Sequence, residues 1–307
     1  MLRYITKRLW AGAISIFVLI TLAFFMLHAI PGGPFSPDEQ KNVPAEILER
    51  IQASYGLDKP VMEQYMNYWQ SLLRGDLGTS MKYVGVSVNQ KIDEQFPVSA
   101  LVGILSVVFS LMMGISLGML AAIRRKKFAD YATMTFATIG ISVPTFIMAV
   151  LMVLLFGQVL KMPLLWHDEP VNFILPVLCL SFTPIAYITR QTRSSMLEAL
   201  ENDYIRTARA KGVSEFRVVT RHALKNALSP VITYLGPLVA GLLTGSFVVE
   251  KVFNVPGIGA YFVKSISDRD YTMAMGIIVF YGIFVVVCSL LSDILLAAVD
   301  PRIKLDK

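Results

Sequence analysis

Few residues in this chain have the types and spacing to do chemistry, and most of them lie between Arg190 and Lys225. The centre of that segment reads Asp203-Tyr-Ile-Arg-Thr-Ala-Arg-Ala-Lys-Gly212, followed by Val213-Ser214-Glu-Phe-Arg217. Asp203 is expected to cap a short helix and Gly212 to end it, after which Ser214 caps a second helix. A polar, basic helix, glycine turn and helix between two apolar runs points to recognition: reversible docking of a partner.

Bond-making chemistry has little to rest on. No glycine in the chain is followed by lysine, so the phosphate-cradling G-x-x-x-x-G-K-[ST] loop is absent from the sequence. His28, His167 and His222 are scattered, and there is no H-E-x-x-H, C-x-x-C or G-x-S-x-G. No metal ligand set and no catalytic residue is predicted. Cys179 and Cys288 fall within apolar runs, where a thiol acts as a small buried hydrophobe.

The elements that must position the docking segment are membrane spans. Only 16% of the 307 residues are charged, against roughly 25% in soluble domains, and 55% are hydrophobic. Five runs lack Asp, Glu, Lys and Arg and can cross about 30 Å of hydrocarbon. They are Leu9 to Ile30, Phe96 to Ile123, Tyr131 to Leu160, Val171 to Thr189 and Asn226 to Val249. A sixth, Tyr271 to Val299, is interrupted only by Asp293, read as pairing with a neighbouring helix or subunit. The first run is too long for a signal-peptide core and is read as a retained span.

Of the 28 Lys and Arg, eighteen fall on one side if the N-terminus is inside, eight of them between Arg190 and Lys225. By the positive-inside rule both termini face the cytoplasm. The formal charge of +6 is thereby a topology signal, and no nucleic-acid partner is predicted. Anionic lipid headgroups favour the same placement. The chain divides into residues 1–30, a cytoplasmic N-terminus and first span; 31–95, an extracytoplasmic loop with short helices; and 96–307, a five-helix core containing the coupling segment 190–225.

In the outer loop, Pro44 and Gly56 bracket one helix with Ile47, Leu48, Ile51 and Tyr55 on a face. Asp58 and Gly75 bracket another, striped by Met62, Tyr65, Met66, Trp69, Leu72 and Leu73. These stripes are expected to pack on each other or on the bilayer surface. Prolines at 144, 176, 184, 230 and 237 bend spans, and the pairs Gly114 with Gly118 and Gly241 with Gly245 allow close helix approach. Asn254-Val-Pro-Gly-Ile-Gly259 suits a tight turn with positive φ at a glycine. Pro256, Gly257 and Gly259 therefore belong either to an outer gate or to a plain capped loop.

Scarce ionisable residues within the spans argue against a carrier driven by its own ion relay. What remains is a channel subunit with a docking element, whose energy comes from a partner.

Here the residues resemble a known family, the inner-membrane permease subunits of type I ABC importers, within the dipeptide, oligopeptide and nickel group. Arg206-Thr-Ala-Arg-Ala-Lys-Gly212 is similar to the family's EAA loop, with Arg206 where the general pattern has Glu and Thr207 where it has Ala. Pro31-Gly-Gly-Pro34, Gly75-Asp-Leu-Gly-Thr-Ser80, Phe96-Pro-Val-Ser99, His222-Ala-Leu-Lys225, Pro256-Gly-Ile-Gly259, Arg269-Asp-Tyr271 and Asp300-Pro-Arg302 look like the group's signposts in order. Met81-Lys-Tyr83 and Ser87-Val-Asn89 look most like the B subunit of oligopeptide permeases.

The resemblance implies an all-α fold of six transmembrane helices in a bacterial inner membrane. It implies a second homologous permease, two ATPase subunits that bind the ATP, and an extracytoplasmic peptide-binding protein; this chain itself holds no cofactor. Asp203, Arg206, Thr207, Ala208, Arg209, Ala210, Lys211 and Gly212 are then the ATPase-coupling residues. Small side chains at Thr207, Ala208 and Ala210 suit a groove, and Arg206 and Arg209 share a face that can pair with carboxylates. Alternative readings are a permease for dipeptides, nickel chelates or another small solute, or a membrane-anchored binding protein without transport. Substrate-binding residues are not assignable from sequence.

Overall fold

The structure, a computed structural model, describes residues 2–31, 33–35, 44–83, 85–161 and 173–299. Gly32, Val84, His167, the start of the fourth run at Val171, and Asp300-Pro-Arg302 with Lys304 and Lys307 lie outside the described residues.

The described chain is helical, with one isolated bridge between Thr79 and Ser87. α1 (Leu2–His28) is followed by α2 (Ala45–Ser54) and α3 (Val61–Leu73), which lie in the loop between the first two spans. Then come α4 (Val88–Ile123), α5 (Phe128–Ser142) and α6 (Thr145–Met152), the last running on as a π-helical stretch, Val153–Val159. α7 (Ile174–Glu201) leads directly into α8 (Asp203–Ala210). α9 starts at Glu215–Arg217 and continues through a π-helical stretch, Val218–Ala223, into Leu224–Ala227. α10 (Ser229–Leu243), α11 (Phe247–Val252), α12 (Ile258–Ser267) and α13 (Tyr271–Val299) complete the order.

Pro44 and Pro60 precede α2 and α3, so the second of these helices starts at Val61, three residues after the expected Asp58. Proline pre-sets the backbone for a first helical turn and has no amide to leave unpaired there. The stripe of α3 packs mainly on α1: Tyr65 is buried in a cluster with Ile20, Phe24, Tyr271 and Val279.

Among the described residues, four helical spans are long and apolar enough to cross a membrane: Thr6–His28, Val88–Ile123, Ser229–Val252 and Tyr271–Ile294. A fifth is counted if Phe128–Ser142 and Thr145–Val159 form one span, but these meet at 108°. The expected third run, Tyr131 to Leu160, is therefore bent sharply, because Pro144 cannot donate into the preceding turn and Val143 takes an extended backbone. Of the five prolines, Pro144 stands at the sharp bend between two helices and Pro230 in the first turn of α10, just past the break at Leu228; Pro184 and Pro237 lie inside continuous helices. The fourth run is the apolar part of α7, which continues without a break to Glu201.

Glycine sets the closest helix approaches in one of the two predicted pairs. A Cβ on Gly114 would meet Ile188 at 2.7 Å, and one on Gly118 would meet the Thr189 carbonyl oxygen at 2.6 Å, so α4 and α7 pack nearly backbone to backbone. The second pair does not act this way. Gly241 faces open space, and Gly245 sits at φ +82° beside Glu250. α1 lies against α13, where Arg8 and Asp293 pair at 3.1 Å, which gives Asp293 its neighbouring-helix partner.

Candidate functional site

α8 is built on a small apolar platform. Ile205 and Ala208 are buried against Met196 and Ala199 of α7, Ala122 of α4, and Val218, Val219 and Ala223 of α9. The helix begins after Asn202, whose extended backbone (φ −73°, ψ 151°) makes it the cap residue in place of Asp203. The Asn202 side chain donates back to the Glu198 carbonyl, so no side chain caps the first turn. Asp203 is instead the first helical residue, with a side chain 95% exposed, where a carboxylate complements the partial positive charge of the helix start.

Gly212 ends the helix as expected. It adopts φ +75°, its amide donates to the Arg209 carbonyl, and the Val213 amide donates to that of Ala208. A Cβ at Gly212 would meet nothing within 4 Å, so the glycine is required by backbone conformation and not by crowding. Across this turn Arg209 donates to both carboxylate oxygens of Glu215, at 2.7 and 3.2 Å. The guanidinium holds the Glu215 carboxyl below the usual carboxylate range. Arg206 has only a loose ion pair with Asp203, at 3.6 Å, and is 77% exposed.

The predicted coupling residues thus divide. Ala208 faces inward and supports the helix; it offers no side chain to a partner. Arg209 is committed to Glu215. Asp203, Arg206, Thr207, Ala210, Lys211 and Gly212 remain on the exposed side. Two exposed aromatics extend that side beyond the prediction: Tyr204, and Phe216 at 78% exposure. The available signal for Phe216 was an aromatic between Glu215 and Arg217 in an otherwise charged segment.

Two further links tie this platform to the spans, and sequence reasoning did not anticipate them. Asp130, buried at the start of α5, receives both Nε and Nη2 of Arg193 on α7. Arg125, just past α4, pairs with Glu201 at the end of α7 at 2.7 Å. α8 thus packs on α4, α7 and α9, and the two ion pairs join α5 and the end of α4 to α7.

The segment holding Pro256, Gly257 and Gly259 folds as α11, a turn and α12. The positive φ falls on Asn254 (+54°), not on a glycine as expected; Gly257 is at −104°. The glycines serve the buried carboxylate of Glu250. A Cβ on Gly257 would lie 2.4 Å from its Cδ, and one on Gly259 3.0 Å from its Oε2. Glu250 accepts from Ser99 Oγ at 2.7 Å and from the Ala260 amide at 2.8 Å, while Ser99 Oγ accepts from the Ile258 amide. This pins the α11–α12 turn to α4. Nearby, Asp270 accepts from the Ser80 hydroxyl and the Met81 amide, and Arg269 donates to the Pro31 and Gly33 carbonyls.

Long apolar helices with exposed Phe17, Leu22, Met26 and Met112, joined to an apolar platform that carries an outward polar helix, define a multi-span integral membrane protein. The family model described as binding-protein-dependent transport system inner membrane component matches residues 114–305, and the model of its N-terminal region matches residues 1–100. The chain belongs to this family and is a multi-pass inner-membrane protein. It is 46% identical over 308 residues to the dipeptide transport system permease protein DppB of Bacillus subtilis, covering 100% of this chain and 99% of the relative. It is 41% identical to DppB of Lactococcus lactis, covering 99% and 100%, and 39% identical to the oligopeptide transport system permease protein OppB of Salmonella typhimurium, covering 99% and 100%. Among solved structures, an inward-facing form of the MetNI methionine ABC transporter matches with a TM-score of 0.55 at 17% identity, covering 68% of this chain and 96% of that one. An amino acid ABC transporter matches at 0.52 and 16%, covering 70% and 95%. These two likenesses show the fold.

Proposed function

We propose that this chain is a permease subunit of an ATP-driven peptide importer, forming half of the translocation path and drawing its energy from separate ATPase subunits. Relatives that span the whole chain are named for dipeptide and for oligopeptide transport, which supports peptides as the substrate class. The observation that carries the coupling role is the division of α8. Ile205 and Ala208 hold it to the ends of α4 and α7, while Arg206, Thr207, Ala210 and Lys211 face outward beside Phe216. The partner ATPases would receive this face, and their movement would pass into the spans through the platform and the Asp130–Arg193 pair.

The fuller assembly in this reading has a second homologous permease, two ATPase subunits that bind ATP, and an extracytoplasmic peptide-binding protein. The apolar part of α7 serves as a span beside the five counted above, giving six, with both termini cytoplasmic and residues 31–95 outside. The α11–α12 turn at Pro256, Gly257 and Gly259 stands at the outer end as a gate element. Purification through a tag on this chain tests the assembly: two ATPase subunits are retained under the proposal, and their absence contradicts it.

A further inference from the structure

The outer-loop helix α3 runs beside α1 in one direction. Gln64 Oε1 lies 3.2 Å from His28 Nε2, the Tyr65 hydroxyl 2.7 Å from Thr21 Oγ1, and the Trp69 ring stacks on Phe17 at 5.5 Å. Moving forward along α3 moves backward along α1, so the helices are antiparallel. Their contacts extend from His28 to Phe17, eleven positions or about 16 Å of helix rise. α1 is a candidate span from Thr6 to His28, so the α3 contacts, made through long side chains, fall on the C-terminal half of that span.

Only part of its apolar face is used by α1. Met62, Met66, Trp69 and Leu73 recur at i, i+4, i+7 and i+11 and share one stripe. Met62, Met66 and Leu73 stay 61%, 56% and 81% exposed. The stripe continues onto exposed Phe17 and Phe25 of α1, the latter in ring contact with Tyr65. The adjoining exposed flank, about 100° round the helix, carries Glu63, Asn67 and Gln70. Lys59 and Glu63 pair at the start, and Arg74 with positive-φ Gly75 closes the end.

We propose that α3 is an interfacial helix seated beside α1, with Met62, Met66 and Leu73 inserted among phospholipid acyl chains and Glu63, Asn67 and Gln70 turned to headgroups and water. Lipid is the occupant because the uncovered stripe is continuous with the exposed side of a candidate span, and its one aromatic, Trp69, is already stacked on Phe17 of α1. Arg74 reaches back to the headgroups along its aliphatic stem. Assignment to the outer leaflet rests on the proposed topology; the lipid contact does not.

The test places nitroxide labels, one at a time, at Met66→Cys, Leu73→Cys and Asn67→Cys in the assembled complex in phospholipid nanodiscs. Collision with lipid-soluble oxygen is compared with collision with a water-soluble nickel chelate. Labels at 66 and 73 are expected to meet oxygen several-fold more than nickel, and the label at 67 the reverse. Nickel access at 66 and 73 equal to that at 67, or exclusion of both reagents there, overturns the proposal. Trp69 gives a readout without labels: in a Trp10→Phe, Trp166→Phe background its fluorescence is quenched by brominated phospholipid, and absence of quenching overturns the proposal as well. A membrane-impermeant maleimide on Glu49→Cys reports the side of the membrane separately, so a wrong topology is told apart from a wrong lipid contact.

Discussion

Arg209 donates from Nε and Nη2 to the two carboxylate oxygens of Glu215, at 2.7 and 3.2 Å, and so closes the Gly212 turn between α8 and α9. The pair depresses the folded-state pKa of Glu215. A depressed carboxylate contributes stability that is present above its unfolded pKa, about 4.3, and is lost as pH falls through the lower folded value. ATPase coupling is therefore expected to show no inflection from this pair between about pH 5 and about pH 8. Glu215→Gln is expected to lower peptide-stimulated ATPase activity evenly across that range; a deficit confined to its acid end would show that the pair titrates there.

Gly212 tests the turn itself. Valine at φ +75° carries about 1–2 kcal/mol of backbone strain, whereas asparagine tolerates that region. Because a Cβ meets no neighbour, Gly212→Val is expected to leave membrane insertion intact while lowering uptake, and Gly212→Asn to retain most of it. Uptake and membrane abundance of both variants check this, and equal uptake by the two would remove the turn from the account.

The buried carboxylate of Asp130 is expected to matter for stability. Asp130→Asn leaves Arg193 without its bidentate partner at the junction of α5 and α7. The loss is about 2–3 kcal/mol, less than the roughly 3–5 kcal/mol of a fully buried pair because Arg193 keeps part of its side chain in solvent. A lower melting temperature of the detergent-purified complex checks it, with Asp130→Glu as the partial rescue.

At the α11–α12 turn, Gly257→Ala places a methyl group against the Glu250 carboxylate and should break its link to Ser99. Peptide uptake is expected to fall while the exposed face of α8 still binds the ATPases. Wild-type uptake from Gly257→Ala would show that the turn yields without consequence.

Much of this arrangement was legible in the sequence because the signals are local. Runs without charge mark spans, and Gly212 marks the end of α8 by its own conformational freedom. The bend at Pro144 was less legible, since an unbroken apolar run does not state whether a proline kinks one helix or separates two. The inward turn of Ala208 could not be read, because a small residue suits either face until Met196 and Val218 are known to lie beneath it. Nothing local to Glu250 marks it as buried. Its burial depends on Ser99, on another helix, and on the glycines that make room for it.

The central claim, that α8 and Phe216 couple separate ATPases to peptide movement, is met most directly in proteoliposomes holding the assembled complex. Accumulation of labelled peptides of graded length is measured with ATP on the ATPase side, for wild type and for Phe216→Ala. Phe216 is 78% exposed, so its removal spares folding, while loss of a buried aromatic anchor at the docked interface costs about 2 kcal/mol, or roughly 30-fold in affinity. The account predicts ATP-dependent accumulation by wild type and its near loss in Phe216→Ala, with less ATPase retained on the complex. ATP-dependent accumulation of peptide by Phe216→Ala at the wild-type rate, or none by the wild-type complex, would contradict it.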